Sequence, residues 1–249
     1  MLSSLNKNIP IRERLIVALD VPRVALAKEL VEQLRDSVFF YKLGLELSMS
    51  GEYFNLIDWL RERGKKVFAD LKFFDVPETV ARAVRQLTDR NIQFVSVHGD
   101  DAMLAAAVKV KKDLKILAVT VLTSLNRQDL DDLGFQCEVE DLVLSRAKRA
   151  LQIGCDGIIS SGLEVAKLRE HFGSSFIVVS PGIRPVENRL EDDQKRVVTV
   201  EQAFHNGADY IVVGRPIRDS IDPRITAEDI QTSITRAISF YTDPLLPLA

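Results

Sequence analysis

The sequence predicts an α/β fold of the (β/α)8 barrel type, and three observations carry that prediction. The chain has 249 residues, close to the roughly 250 typical of such a barrel. Eight short apolar runs rich in β-branched and aromatic residues alternate with stretches of helical periodicity, the rhythm of βα units around a parallel sheet. Polar residues fall at or just past the C-terminal ends of those runs, where a barrel gathers its βα loops into one face.

Taken in order, the first run is Leu15–Leu19, which ends on Asp20 and precedes the amphipathic stretch Ala25–Leu34. Phe39–Leu43 follows, interrupted by Lys42, with Phe54–Arg63 as its crossover. Lys66–Leu71 leads into Thr79–Arg90, Phe94–Val97 into Ala102–Lys111, and Ile116–Leu122 into Leu142–Ile153. Gly157–Ser160 precedes Val165–Phe172, Phe176–Ser180 precedes Val200–His205, and after Tyr210–Val213 the stretch Ala227–Phe240 closes the ring. Eight repeats favour a closed barrel over an open doubly wound sheet. No linker rich in Gly, Ser or Pro and no tandem repeat divides the chain, so one domain over residues 1–249 is expected.

Composition narrows the function. Hydrophobic residues make up 46% and charged residues 28%, enough for a large core under an ordinary soluble surface. The net charge is -3 with a pI of about 5.7, and no dense Lys/Arg run supplies the footprint that nucleic acid or an anionic membrane requires. The apolar run Leu15–Leu19 is shorter than a signal-peptide core, and no segment approaches the roughly 18 apolar residues of a membrane span, so a cytoplasmic protein is expected. Cys137 and Cys155 lack a CxxC spacing and read as buried hydrophobes, not as a disulfide or metal site.

The sharpest local signal is Asp70-Leu71-Lys72-Phe73-Phe74-Asp75-Val76-Pro77-Glu78-Thr79. Strand alternation sends Asp70 and Lys72 to the same face and Leu71 away, which brings an ion pair to the barrel mouth. Lys42 and Lys72 interrupt strands that should be buried, a costly placement without a purpose. Asp75 has a second reading as the N-cap of the next helix, with Pro77 in its first turn and Glu78 at the capping-box position; one residue can serve both roles. Gly214-Arg215, with Pro216 opening a short helix, suits a phosphate, although a Gly-Arg turn is often structural. The connection from Pro181 to Thr199 is long for a βα loop and carries Arg184, Arg189 and Gln194, which marks it as a lid. His98 reads as a structural histidine, since only three His occur and none has metal-ligand spacing.

Asp70-x-Lys72-x-x-Asp75 resembles the signature of the orotidine monophosphate decarboxylase suprafamily, which also holds ketogulonate-phosphate decarboxylases. The longer string resembles the bacterial orotidine branch: Asp70 to Thr79, Val121-Leu122-Thr123-Ser124, Pro181-Gly182-Ile183-Arg184-Pro185, Asp193-Gln194 and Gly214-Arg215-Pro216, in the same order and spacing. It extends from Val17-Ala18-Leu19-Asp20 to Asp222-Pro223, and Phe74 stands where many relatives carry His. The resemblance implies a TIM barrel that converts orotidine 5'-phosphate to UMP and carbon dioxide with no cofactor and no metal. It implies Lys42, Asp70, Lys72 and Asp75 as catalytic residues, Lys72 stabilising a carbanion at pyrimidine C6 and then protonating it. Asp20 would bind ribose with Lys42, Thr123 and Ser124 would approach the pyrimidine, and Pro181 and Arg184 would belong to the lid. Gln194, Gly214 and Arg215 would hold the phosphate. A homodimer is implied, with Asp75 and Thr79 entering the neighbouring subunit's site. Two alternatives stand beside this. A magnesium-dependent ketogulonate-phosphate decarboxylase would need a further acidic ligand, and the Pro181–Pro185 string with Asp193-Gln194 speaks against it. A phosphosugar-binding barrel without turnover has little reason to keep two lysines and two carboxylates at a partly dry site.

Overall fold

The computed structural model describes residues 7–184 and 197–242. Among them, eight parallel strands pair in chain order and close into a barrel. They are β1 (Leu15–Ala18), β2 (Phe40–Leu43), β3 (Lys66–Phe73), β4 (Phe94–His98), β5 (Lys115–Val119), β6 (Gly157–Ile159), β7 (Ile177–Ser180) and β8 (Tyr210–Val213). The ring is completed by β1 on β8, with Leu15 opposite Ile211 and Val17 opposite Val213. Around it lie α1 (Val24–Leu34), α2 (Leu45–Ser48), α3 (Tyr53–Glu62), α4 (Pro77–Thr88), α5 (Asp101–Val110), α6 (Arg127–Asp132), α7 (Val139–Ile153), α8 (Val165–Phe172), α9 (Val200–His205), α10 (Arg215–Arg218) and α11 (Pro223–Thr242). None of the described helices is long and apolar enough to cross a membrane.

Every crossover expected from the sequence is present, with ends moved by a few residues. β5 stops at Val119, three residues before the expected Leu122, and β3 runs on to Phe73. The last helix starts at Pro223, ahead of the expected Ala227, because the Asp222 carboxylate accepts the N–H of Ile225 at 3.0 Å and Pro223 needs no amide partner in a first turn. The single turn α2 and the short α6 had no counterpart in the sequence reading. For α6 a signal existed: Asn126 and Asp129 form a reciprocal capping box, at 3.0 and 2.7 Å.

Alternation along each strand sorts two cores. Inward-facing Ile16, Ala18, Phe40, Phe68, Phe94, Leu117, Val119, Ile159, Ile177, Val179, Tyr210 and Val212 fill the barrel, while their neighbours pack outward under the helices. The barrel floor is aromatic. Phe94 meets Phe40 at 5.1 Å between ring centroids, Tyr210 edge-on at 5.2 Å and Phe68 at 6.0 Å, and each such side chain fully buried contributes about 1.5–3 kcal/mol. Beneath it, fully buried Asp209 accepts from Lys7 at 2.6 Å, Arg169 at 2.8 Å and the Val178 N–H at 2.9 Å, tying the N-terminal segment and α8 to the start of β8. Cys155 is buried, with its thiol pushed up to about 12 by desolvation, and neither cysteine is in a disulfide.

Candidate active site

One step above the aromatic layer the inward row turns polar. Ala18 is followed on its face by Asp20, Phe40 by Lys42, Phe68 by Asp70, Phe94 by Ser96 and Val212 by Gly214. Each of these five strands thus leaves the apolar core within two residues, toward its C-terminal side.

These groups meet. Lys42 Nζ lies 2.9 Å from Asp20 Oδ1 and 3.5 Å from Asp70 Oδ2. Lys72 Nζ donates to the same Asp70 oxygen at 2.8 Å, and the Ser96 hydroxyl donates to Asp70 Oδ1 at 2.8 Å. Lys42 and Asp70 are buried, while Lys72 is half-buried and Asp20 more open. Burial alone would raise the Asp70 carboxyl. The adjacent ammoniums of Lys42 and Lys72, with the bonds from Lys72 and Ser96, overcome it and hold Asp70 below the usual carboxylate range. Burial works to lower Lys42, but Asp70 and Asp20 outweigh it and hold its ammonium above the usual lysine range. Two lysines and two carboxylates make an array whose formal charges balance in a partly dry site. Gly44 leaves room for it: a Cβ there would lie 3.1 Å from Asp20 Oδ1 and 3.2 Å from Lys42 Nζ.

Asp70 and Lys72 come together by a different route from simple alternation. The β3–β4 register shifts between Ala69 and Phe73, and Lys72 has a φ of 46°, a left-handed conformation rare for a residue with a long side chain. Its backbone N–H turns to the Ser96 hydroxyl at 2.8 Å. The N-cap reading of Asp75 is corrected. Val76 occupies the N-cap position with no side-chain cap, Asp75 accepts only the adjacent Val76 N–H at 2.6 Å, and Glu78 pairs with Arg82 and Arg85.

A cavity of about 410 Å³ opens over the array, lined by Asp20, Lys42, Asp70, Lys72, Thr123, Ser124, Pro181, Arg184, Gly214 and Arg215 among others. Asp75 and Thr79 are not in this lining; both are exposed, on the loop after β3 and in the first turn of α4. Gln194, with Pro185, Arg189 and Asp193, lies outside the described residues. The described ends of that long connection are pinned together, since Arg184 N–H donates to Val198 O at 3.0 Å and Val198 N–H to Gly182 O at 3.2 Å. His98 is half-buried outside the cavity lining, its ring against Phe74 at 4.9 Å, and its pKa is lowered by burial and by Arg146.

Ser96 and Arg218 in this region, besides Gly44, escaped the sequence reading. Ser96, a serine amid Phe94, Val95 and Val97, carries no charge to make its burial conspicuous. Arg218 also lines the cavity, donates to the Asp20 backbone carbonyl at 2.6 Å and forks onto Asp219 at 2.6 and 2.9 Å. Its spacing of three from Arg215 on a helical turn was the available signal. Cavity size alone does not locate the chemistry. A depression of about 1170 Å³ lies at the N-terminal end, lined by Lys7, Lys115, Lys148, Asp156 and Tyr210. It brings no charge array together, and its Asp156 is held by Lys111 at 2.6 Å. Among the described residues, no three His, Cys, Asp or Glu side chains gather as a metal-ligand set.

Comparison with known proteins agrees with the geometry. The model of the orotidine 5'-phosphate decarboxylase / HUMPS family matches residues 13–230. The orotidine 5'-phosphate decarboxylase of Methylococcus capsulatus is 66% identical over 229 residues, covering 92% of this chain and 95% of that protein. That of Xylella fastidiosa is 48% identical over 231 residues, covering 92% and 94%. The crystal structure of the Lactobacillus acidophilus orotidine 5'-phosphate decarboxylase superposes with a TM-score of 0.79 at 34% identity, covering 89% of this chain and 99% of that one.

Proposed function

This chain belongs to the orotidine 5'-phosphate decarboxylase family, and from that premise we propose how its residues divide the reaction. The enzyme converts orotidine 5'-phosphate to UMP and carbon dioxide in pyrimidine synthesis. The observation that carries the residue assignments is Asp70, a buried carboxylate held between two lysines beneath the cavity.

The C6–carboxylate bond breaks with its electron pair left on C6. A substrate carboxylate about 4 Å from Asp70 would be repelled by roughly 4 kcal/mol at an effective dielectric near 20, and departure of carbon dioxide relieves that repulsion. The Lys72 ammonium, fixed 2.8 Å from Asp70, faces the developing carbanion, stabilises it, and delivers a proton to C6. Lys42 and Asp20 take the ribose hydroxyls, Thr123 and Ser124 the pyrimidine, and Arg215 beside Gly214 the phosphate as a guanidinium fork. Pro181 and Arg184, both in the cavity lining, enclose the substrate, and the family resemblance assigns Gln194 to the phosphate with Arg215.

Asp75 and Thr79 act in the site of a second subunit. Their surroundings support this: Phe74 is 67% exposed and Val76 64%, and at the α2 turn that follows β2, Leu45 is 58% exposed and Met49, just past the turn, 80%. Exposed apolar side chains on both sides of an exposed carboxylate, Phe74 and Val76 about Asp75, are what a second copy of the chain would cover.

Two measurements test the assignment. Lys72→Ala should nearly abolish turnover while UMP still binds, because the lost cation matters most when C6 carries charge; retention of more than about a tenth of the parent kcat would remove Lys72 from its role. Activity should survive exhaustive chelation, since each step uses a side chain; a loss restored by magnesium would favour the ketogulonate-type reaction.

A further inference from the structure

We propose that Ser96 is a positioning residue for the decarboxylation: its one hydroxyl fixes the Asp70 carboxylate and the left-handed backbone of Lys72 together, so a single atom sets the spacing of both. The inference rests on the reading above, in which those two groups flank the reacting carbon.

The hydrogen count is closed. Ser96 is completely buried, so water does not compete for its hydroxyl. The hydroxyl has one proton and free lone pairs. The Lys72 N–H donates to the Oγ at 2.8 Å, which leaves the proton for Asp70 Oδ1, also at 2.8 Å. Asp70 then has one oxygen committed to Ser96 and the other shared by Lys72 at 2.8 Å and Lys42 at 3.5 Å, a division that fixes the rotation of the carboxylate.

The backbone gives the second reason. Strand pairing between β3 and β4 is regular through Ala69 opposite Val95 and resumes with Phe73 opposite Val97, and Lys72 lies in the break. Its left-handed φ turns the amide to a side chain on the inward row of β4. A strained residue persists only where its surroundings over-determine it, and Ser96 supplies that constraint at the one lysine whose ammonium must be aimed. The hydroxyl also adds to the lysines' effect in keeping Asp70 below the ordinary carboxylate range.

The test is a series of Ser96→Ala, Ser96→Cys and Ser96→Thr, assayed for kcat, KM and UMP affinity beside Lys72→Ala. Removing the hydroxyl should lower kcat by about tenfold to a hundredfold while KM and UMP affinity stay within about threefold, because the loss falls on groups acting in the transition state. Cysteine, of similar shape but a weak donor and acceptor, should behave like alanine. Threonine should recover kcat to within about threefold of the parent. If the threonine methyl prevents folding, seen as a lost cooperative melt, the kcat-against-KM split in Ser96→Ala decides alone. A Ser96→Ala kcat within about twofold of the parent, a loss expressed in KM, or a folded threonine variant no better than alanine would overturn the proposal. Lys72→Ala separates the two levels. If it stays active, the reading of the site fails; if it is inactive while Ser96→Ala is unaffected, only the Ser96 inference fails.

Discussion

Lys42 and Asp70 are buried ions that remain charged because each has a partner within 3.5 Å. Their pKa directions set how stability depends on pH. Asp70 is depressed on folding, so its contribution is present above the unfolded value of about 3.9 and is lost as pH falls through the lower folded value. Lys42 is raised, so its contribution is present below the unfolded value of about 10.4 and is lost as pH rises through the higher folded one. Asp70→Asn should therefore flatten the fall in melting temperature as pH drops below about 4, and an unchanged slope would mean other carboxylates govern acid unfolding. Elsewhere in the cavity lining, Arg215→Ala should lower kcat/KM by about tenfold to a hundredfold and weaken competitive inhibition by inorganic phosphate. Arg218→Ala should raise KM yet leave phosphate inhibition intact, because Arg218 holds the Asp20 backbone; equal loss of phosphate inhibition in both variants would place Arg218 on the phosphate. The charged residues were legible in the sequence because an ion inside an apolar strand contradicts burial. Ser96 and Gly44 contradict nothing in a strand or a turn, and only the assembled array shows why they are needed.

At the scale of elements, the two ends of the strands do different work. The C-terminal ends carry the array, while the N-terminal start of β8 carries Asp209, which organises Lys7, Arg169 and the β7 backbone. Asp209→Ala removes a fully buried anion from part-buried Arg169 and Lys7 and should destabilise the fold by about 3–5 kcal/mol. It should leave kcat of the folded enzyme unchanged, since none of these residues lines the cavity above Asp70. Urea unfolding with parallel kinetics checks both halves, and a large loss of kcat without loss of stability would refute the separation. The eight βα units could be read from periodicity because their two burial patterns repeat along the whole chain. The kink in β3 could not. It comes from a register shift and a left-handed Lys72, a conformation no local propensity favours for lysine. The Asp75 cap was misplaced for a related reason: a carboxylate two residues before a proline fits the capping pattern, but the chain enters α4 with Val76 at the cap and Asp75 pointing at its own neighbour.

For the whole molecule, the position of Asp75 is the decisive feature. It is exposed, outside the lining of its own chain's cavity and bordered by exposed Phe74 and Val76, which fits the proposal that Asp75 acts on a second chain. A two-fold dimer then builds two equivalent composite sites, each taking Lys72 from one protomer and Asp75 from the other. Lys72→Ala and Asp75→Ala are each expected to be nearly inactive as homodimers, because every site carries a lesion. Dissociated, mixed in equal amounts and reassociated, they form heterodimers in which one site inherits both lesions and the other neither. With random pairing about half of the dimers are mixed and half of their sites are intact, so activity should return to about one quarter of the parent. The recovered activity should keep the parent KM, since the intact site is complete. Verified subunit exchange with no recovery would mean that Asp75 serves within its own chain, and the exposed rim around it would need another explanation.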